Sequence, residues 1–230
     1  MSQYKNWKVD TDLQNITWLG ADVANTSVNV LNSNVLDELN KIIEEISSNN
    51  ACQGLVVYSA KNNGFIAGAD VTEFAHFNNS QQILDFLYKG QRVFAKLESL
   101  KIPTVAIIDG FCMGGGLELA LACNYRIATD SRNTKLGLPE VLLGIHPGWG
   151  GTVRLPKLIG GYNALAKLIL TGKTHSGRNA KKLGIVDDVV PKRQLKRAAI
   201  YFINKKPSKH KAKLTEKLTN LSWSRQILAN

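Results

Sequence analysis

IDGFCMGGGLELALACNYRIATDSRNTKLGLPEVLLGIHPGWGGT, residues 108–152, passes from the end of an apolar run through Gly114, Gly115 and Gly116 into the helix-forming LELALA. That order is a strand, a tight turn and a helix start. The free backbone N–H groups of such a helix N-terminus favour negative charge. Glu118 stands two residues past the glycines, in the first turn of an otherwise apolar helix, and Glu140 follows in LPEVLLG, again among apolar residues and glycine. Carboxylates are rarely buried without a partner or a task. Two of them near a row of backbone donors point to acid–base work beside an oxyanion site.

Outward from this stretch, strand-like and helix-like segments alternate. NWKVD (6–10) and QNITWL (14–19) are short strand-like runs around Thr11-Asp12, the pattern of a hairpin. Val35, Leu36, Leu39, Ile42, Ile43 and Ile46 recur at three and four, which predicts a helix opened by Ser33 or Asn34. LVVYSA (55–60) is almost wholly apolar, as in a sheet covered on both faces. The loop KNNGFIAGAD (61–70) leads to a short segment at Val71–His76, and Ser80 opens a helix reaching about Leu100. PTVAIID (103–109) and NYRIAT (124–129) read as strands. The Gly-rich turn from Pro147 to Gly151 precedes a helix at 151–158; Tyr162–Thr171 is helical; GRNAKKLG makes a helix stopped by Gly184; and IVDDVV is a strand stopped by Pro191. This alternation is the α/β class. No sequence repeat is evident, yet strand, Gly-rich loop and helix recur at 54–76 and 103–122.

Composition removes several function classes. Apolar content of 44% and charged content of 20% suit a soluble globular protein. No apolar run approaches the roughly 20 residues of a membrane-spanning helix, and MSQYKNWKVD is no secretory signal. Cys52, Cys112 and Cys123 are odd in number and lack metal-ligand spacing, so they read as packed, reduced thiols of a cytoplasmic protein. The net charge of +11 is local: residues 192–230 hold eleven of the 29 basic side chains against a single acid, Glu216. A charge run is usually a solvated face. With the polar break KKPSKHK, it sets the expected organisation: a core at 1–191, then a basic helical tail at 192–230.

GFCMGGGLELALAC and GLPEVLLGIHPGWGGTVRLPKLIG resemble the two signature stretches of the enoyl-CoA hydratase/isomerase (crotonase) superfamily, and FIAGAD at 65–70 resembles its third. Within it the chain is most similar to the N-terminal hydratase–isomerase part of bacterial fatty-acid oxidation complex α subunits, over roughly residues 5–205. The resemblance implies a ββα superhelical core. It implies a hydratase that adds water syn to a trans-2-enoyl-CoA in fatty-acid β-oxidation, giving a 3-hydroxyacyl-CoA, with Δ3-Δ2-enoyl-CoA isomerase activity alongside. No cofactor is expected beyond the coenzyme A thioester that serves as substrate.

Carried over residue by residue, Glu118 orients and deprotonates the attacking water, while Glu140 protonates the α-carbon. The oxyanion donors become the backbone amides of Ala69 and Gly115. Ala67, Gly68, Asp70, Gly114, Pro147, Gly148 and Trp149 become substrate contacts. Each has a plainer reading beside this one: Asp70 caps the helix at Val71, Trp149 packs in the core, and His146 is a turn residue lining the pocket at most. Lys61 and the tail are available to coenzyme A phosphates. The resemblance also implies an acyl-CoA partner, a thiolase subunit, a homo-oligomer, and 3-hydroxyacyl-CoA dehydrogenase domains elsewhere in a multifunctional enzyme, with the tail at 192–230 as the start of a linker to them. A serine hydrolase lacks a Ser in the glycine run, and GGGLE is not a dinucleotide-binding G-x-G-x-x-G. An RNA-binding protein on a crotonase fold would use the basic tail, but no aromatic-plus-basic motif accompanies it. Decarboxylation and thioester hydrolysis stay open, because fold alone does not select the reaction.

Overall fold

The computed structural model describes residues 4–213, 216 and 218–221. Strands β1 (Trp7–Thr11) and β2 (Ile16–Ala21) form the hairpin, closed by Asp12, whose carboxylate accepts from the Gln14 and Ile16 amides. Helix α1 (Ser33–Ser48) follows, capped by Asn32 rather than by Ser33 or Asn34: the Asn32 side chain accepts from the Val35 N–H. Its six periodic apolar residues are all buried. Then come β3 (Gly54–Ser59), the one-turn α2 (Val71–Phe74), α3 (Ser80–Glu98), β4 (Thr104–Ile108), β5 (Phe111–Met113) and α4 (Gly115–Ala122). Beyond α4 lie β6 (Tyr125–Thr129), β7 (Lys135–Gly137), a 3-10 turn (Pro139–Leu143), α5 (Gly151–Ile159), α6 (Gly161–Ala164) with a π-turn at Leu165–Ile169, β8 (Thr174–Ser176), α7 (Gly177–Leu183), β9 (Asp188–Val190) and α8 (Leu195–Lys205).

Six strands make one sheet in the order β1-β2-β3-β4-β6-β9, parallel except for the hairpin, and β5-β7-β8 make a second. Each turn of the chain therefore places a long strand in the first sheet, a short extended segment beside the second, and a helix outside. The sequence β4–β5–α4 is one such turn, and β6–β7–α5 is the next. In the earlier turn, single bridges (Leu31 with Ala69, Ile66 with Cys112) stand in for the short strand. The result is a ββα superhelix, the arrangement that the sequence resemblance implies.

One face of the large sheet carries the main core under α1, α3 and α4. The other is covered by α8, whose Leu195, Ala199, Phe202 and Ile203 pack on Ile16, Val56, Val105 and Ile127. The folded unit thus continues past 191, the end expected from charge alone. The basic residues of α8 lie on its outer side, while its apolar stripe completes the sheet. Beyond it, the Tyr125 hydroxyl donates to the Pro207 carbonyl at 2.8 Å, and Ala212 is buried. The rest of the basic tail falls largely outside the described residues. All three cysteines are free and buried, and burial pushes the Cys123 thiol up to about 12. No helix among the described residues is long and apolar enough to cross a membrane.

Candidate active site

The glycine run turns β5 into α4 in a single residue. Gly114 adopts φ +50, and its amide donates to the Gly137 carbonyl of β7 at 3.0 Å, which fixes the corner. The next amide, Gly115, opens α4 and has no partner among the described residues, as geometry requires at a helix start. On the facing loop, the Asp70 amide is tied to the Leu31 carbonyl at 2.9 Å, while that of Ala69 is likewise without a partner among the described residues. The two free amides approach one another closely: a methyl on Gly115 would stand 3.5 Å from the Ala69 nitrogen and 2.5 Å from the Trp149 ring. Glycine is what allows that approach.

Glu118, one turn into α4, is 2% exposed. Its Oε1 accepts two backbone bonds, from Trp149 N–H at 2.8 Å and Gly151 N–H at 2.7 Å. The second donor is the first residue of α5, so the carboxylate sits at that helix's N-terminus, where negative charge is favoured. Burial pushes the Glu118 carboxyl up to about 7, opposed by the Gly151 and Trp149 amides and reinforced by the charge of Glu140. Glu140 is the second residue of the 3-10 turn after β7. Burial raises its carboxyl as well, against its own amide and the charge of His146. Its Oε2 is buried with no hydrogen-bond partner among the described residues.

Both carboxylates line one pocket of about 120 Å³, together with Ala67, Gly68, Ala69, Gly114 and Gly115. Phe74, Phe86, Leu87, Leu143 and Ile145 make its apolar wall, and His146, Gly148 and Trp149 close it. Trp149 is both core and wall, packed edge-on against Phe86 and Phe94 with ring centroids 5.2 and 5.7 Å away. Two expected substrate contacts lie elsewhere. Asp70 caps α2, accepting from the Thr72 N–H at 3.1 Å, and does not line the pocket. Pro147 is buried against Gly151 and lines a neighbouring cavity instead. Lys61 is tied to the Val23 and Thr26 carbonyls and to Asp22, inside the fold. Residue identity alone does not predict the amides that hold Glu118. The available signal was the paired Gly150-Gly151 ahead of a helix, a second backbone anion site.

Paired acids beside paired free amides in an apolar pocket, on a ββα spiral, combine groups able to move protons with donors able to hold an oxyanion. Residues 23–227 match the family model described as enoyl-CoA hydratase/isomerase. The fatty acid oxidation complex subunit alpha of Vibrio parahaemolyticus is 44% identical over 224 residues, covering 97% of this chain and 32% of the relative. That of Aliivibrio fischeri is 47% identical over 212 residues, covering 92% and 30%. The chain thus spans about a third of the length of these curated relatives. Among solved structures, an enoyl-CoA hydratase from Bacillus anthracis superposes with TM-score 0.80 at 36% identity, covering 87% of this chain and 76% of that one. One from Geobacillus kaustophilus superposes with TM-score 0.83 at 28% identity, covering 89% and 75%. This chain belongs to the enoyl-CoA hydratase/isomerase family.

Proposed function

We propose that the chain is an enoyl-CoA hydratase acting on trans-2-enoyl-CoA thioesters of fatty-acid β-oxidation. The observation that carries this reading is the meeting of Glu118, Glu140 and the Ala69 and Gly115 amides around one apolar pocket. The thioester oxygen sits between the two amides, which stabilise the enolate that forms; such donors supply on the order of 3 kcal/mol each. Glu118 enters ionised and takes a proton from water. The water oxygen bonds to the β-carbon, and the π electrons move onto the thioester oxygen. Glu140 enters protonated and delivers its proton to the α-carbon as the enolate collapses. One water is consumed, and the proton on Glu118 returns to Glu140 through solvent exchange.

Burial raises both carboxyls, which favours keeping one proton on the pair, and the unpaired Glu140 Oε2 is a place for it. Glu118, near 7 with two amide bonds on one oxygen, is ionised over much of the neutral range and leaves Oε2 for water. With water at the second carboxylate, both new bonds form on one face, which is syn addition. Isomerisation of Δ3-enoyl-CoA needs a single carboxylate shuttle, and this pocket supplies one. The names of the longer relatives support a place in a fatty acid oxidation complex; on that reading, dehydrogenase domains in a multifunctional enzyme, a thiolase partner, a homo-oligomer and a cytoplasmic setting are expected with it.

The test is product analysis of crotonyl-CoA turnover in 18O water. Label on C3 of 3-hydroxybutyryl-CoA is expected. Release of free coenzyme A with label in a carboxylate would mean thioester hydrolysis and overturn the assignment.

A further inference from the structure

Glu118 is only as well placed as the two amides that hold it, and those amides belong to the loop at 147–151. That loop is gripped from behind. The Gln91 side chain of α3 donates through Nε2 to the Gly148 carbonyl at 2.7 Å. The carbonyl of Gly148 and the N–H of Trp149 are opposite ends of one planar peptide unit. The N–H end donates to Glu118 Oε1 at 2.8 Å. A hydrogen bond at the oxygen end therefore sets the direction of the N–H on the far side. We propose that Gln91 is a positioning residue for Glu118, acting through the Gly148–Trp149 peptide bond. The inference rests on the hydratase reading for its consequence in turnover, but its geometry stands without it.

A second brace grips the adjoining peptide. Arg154 Nη1 donates to the Trp149 carbonyl at 2.9 Å, and its Nε and Nη2 pair with Glu98 Oε2 of α3 at 2.9 and 2.8 Å. Gly150, at φ +107, leaves the room for this: a Cβ there would lie 2.1 Å from Nη1. Gln91 and Glu98 stand seven residues apart on α3, two turns along the same face. Thus α3 holds two successive carbonyls of the loop while the loop's amides face Glu118. Gln91 is exposed and makes no contact with the pocket, which separates its role from acid–base work. The charged and titratable groups around Glu118 are Glu140 from the 3-10 turn, with His146 beside it, and Arg154 from α5. Replacement of the neutral Gln91 by a neutral residue leaves that charge set unaltered.

The test is Gln91→Met, close to isosteric and lacking the donor. Two readouts apply: the pH profile of kcat/KM for crotonyl-CoA hydration, and 13C NMR titration of the Glu118 carboxyl, assigned through Glu118→Gln. Loosening the Trp149 N–H removes a bond to the charged form, so Glu118 should titrate higher. Its midpoint and the acid limb of the profile should both rise by roughly half to one pH unit, since one unit corresponds to a tenfold change in the equilibrium. At pH 7 kcat should fall several-fold with KM little changed. Because Gln91 is exposed, the melting temperature should move little. An unmoved Glu118 midpoint in well-folded Gln91→Met would overturn the proposal, as would a lowered melting temperature with an unmoved profile. Arg154→Lys is the companion variant, expected to shift the midpoint in the same direction. If the wild type fails to hydrate crotonyl-CoA, the functional reading falls, and the NMR titration still decides the brace.

Discussion

Removing Asp187 should destabilise the protein far more than the loss of an ordinary acid. Asp187 Oδ2 accepts from the Arg126 backbone N–H at 2.8 Å and from Arg126 Nη2 at 3.0 Å, and the two side chains are 7% and 4% exposed. The guanidinium also donates through Nε to the Ile185 carbonyl at 2.8 Å and through Nη1 to the Cys123 carbonyl at 2.9 Å. Cys123 is the C-cap of α4, the helix that carries Glu118, so this pair ties that helix to the β9 end of the sheet. In Asp187→Ala a buried cation keeps its carbonyl partners but loses its counter-charge. Breaking a buried pair in this way costs about 3–5 kcal/mol, equivalent to a melting temperature lowered on the order of 10 °C for a chain of this size. The assay is thermal and urea unfolding of Asp187→Ala, Arg126→Leu and the double variant. The double variant should lie well above the sum of the singles, since it removes the stranded charge. A loss below about 1 kcal/mol in Asp187→Ala, or strictly additive singles, would refute the reasoning.

Glu118→Gln should be more stable than wild type at alkaline pH. Burial raises the Glu118 carboxyl from 4.5 to about 7, so its contribution is greatest below 4.5 and is lost as pH rises through 7. The stability excess of the variant, followed by denaturant unfolding, should therefore widen as pH rises from 4.5 through about 7, by at most about 3 kcal/mol; a constant difference would contradict it. Gly90→Ala should impair activity and stability together, because a Cβ there would stand 2.3 Å from Trp149 Nε1, and overpacking of this kind costs about 1–3 kcal/mol. Calorimetry and initial rates check both effects. Ile203→Ala, on the buried face of α8 and 1% exposed, should cost about 2–5 kcal/mol in urea unfolding, and a negligible cost would contradict the packing of α8 on the sheet.

Most of the long elements were legible because each carries a one-dimensional signal. The six apolar positions of α1, the unbroken apolar run of β3 and Gly184 at the end of α7 each state a local preference that the fold does not overrule. The three-residue strands β5, β7 and β8 were not legible. They are too short for periodicity, and β7 and β8 pair across 174–176 and 135–137, which only tertiary structure reveals. The charge of 192–205 concealed the apolar stripe of α8, since basic residues and buried ones alternate around the same helix. At the site, Glu118, Glu140 and the glycine run stood out by side-chain type. The amides of Trp149 and Gly151, and Gln91 behind them, act through backbone geometry, which residue identity does not encode. Asn124 falls between these cases: its side chain accepts from the Thr104 N–H, and the Thr104 hydroxyl accepts from the Asn124 N–H, a structural latch.

The central claim concerns two acids that share one water on one face of an enoyl thioester. Its most direct measurement is the initial rate of crotonyl-CoA hydration at pH 8, where Glu118 is ionised, for the wild type, Glu118→Gln and Glu140→Gln. Each amide variant should fall by at least about a hundredfold, as the loss of a positioned acid or base requires, with melting temperatures at or above that of the wild type for Glu118→Gln. A variant that hydrates at the wild-type rate would show that its carboxylate takes no part in moving protons.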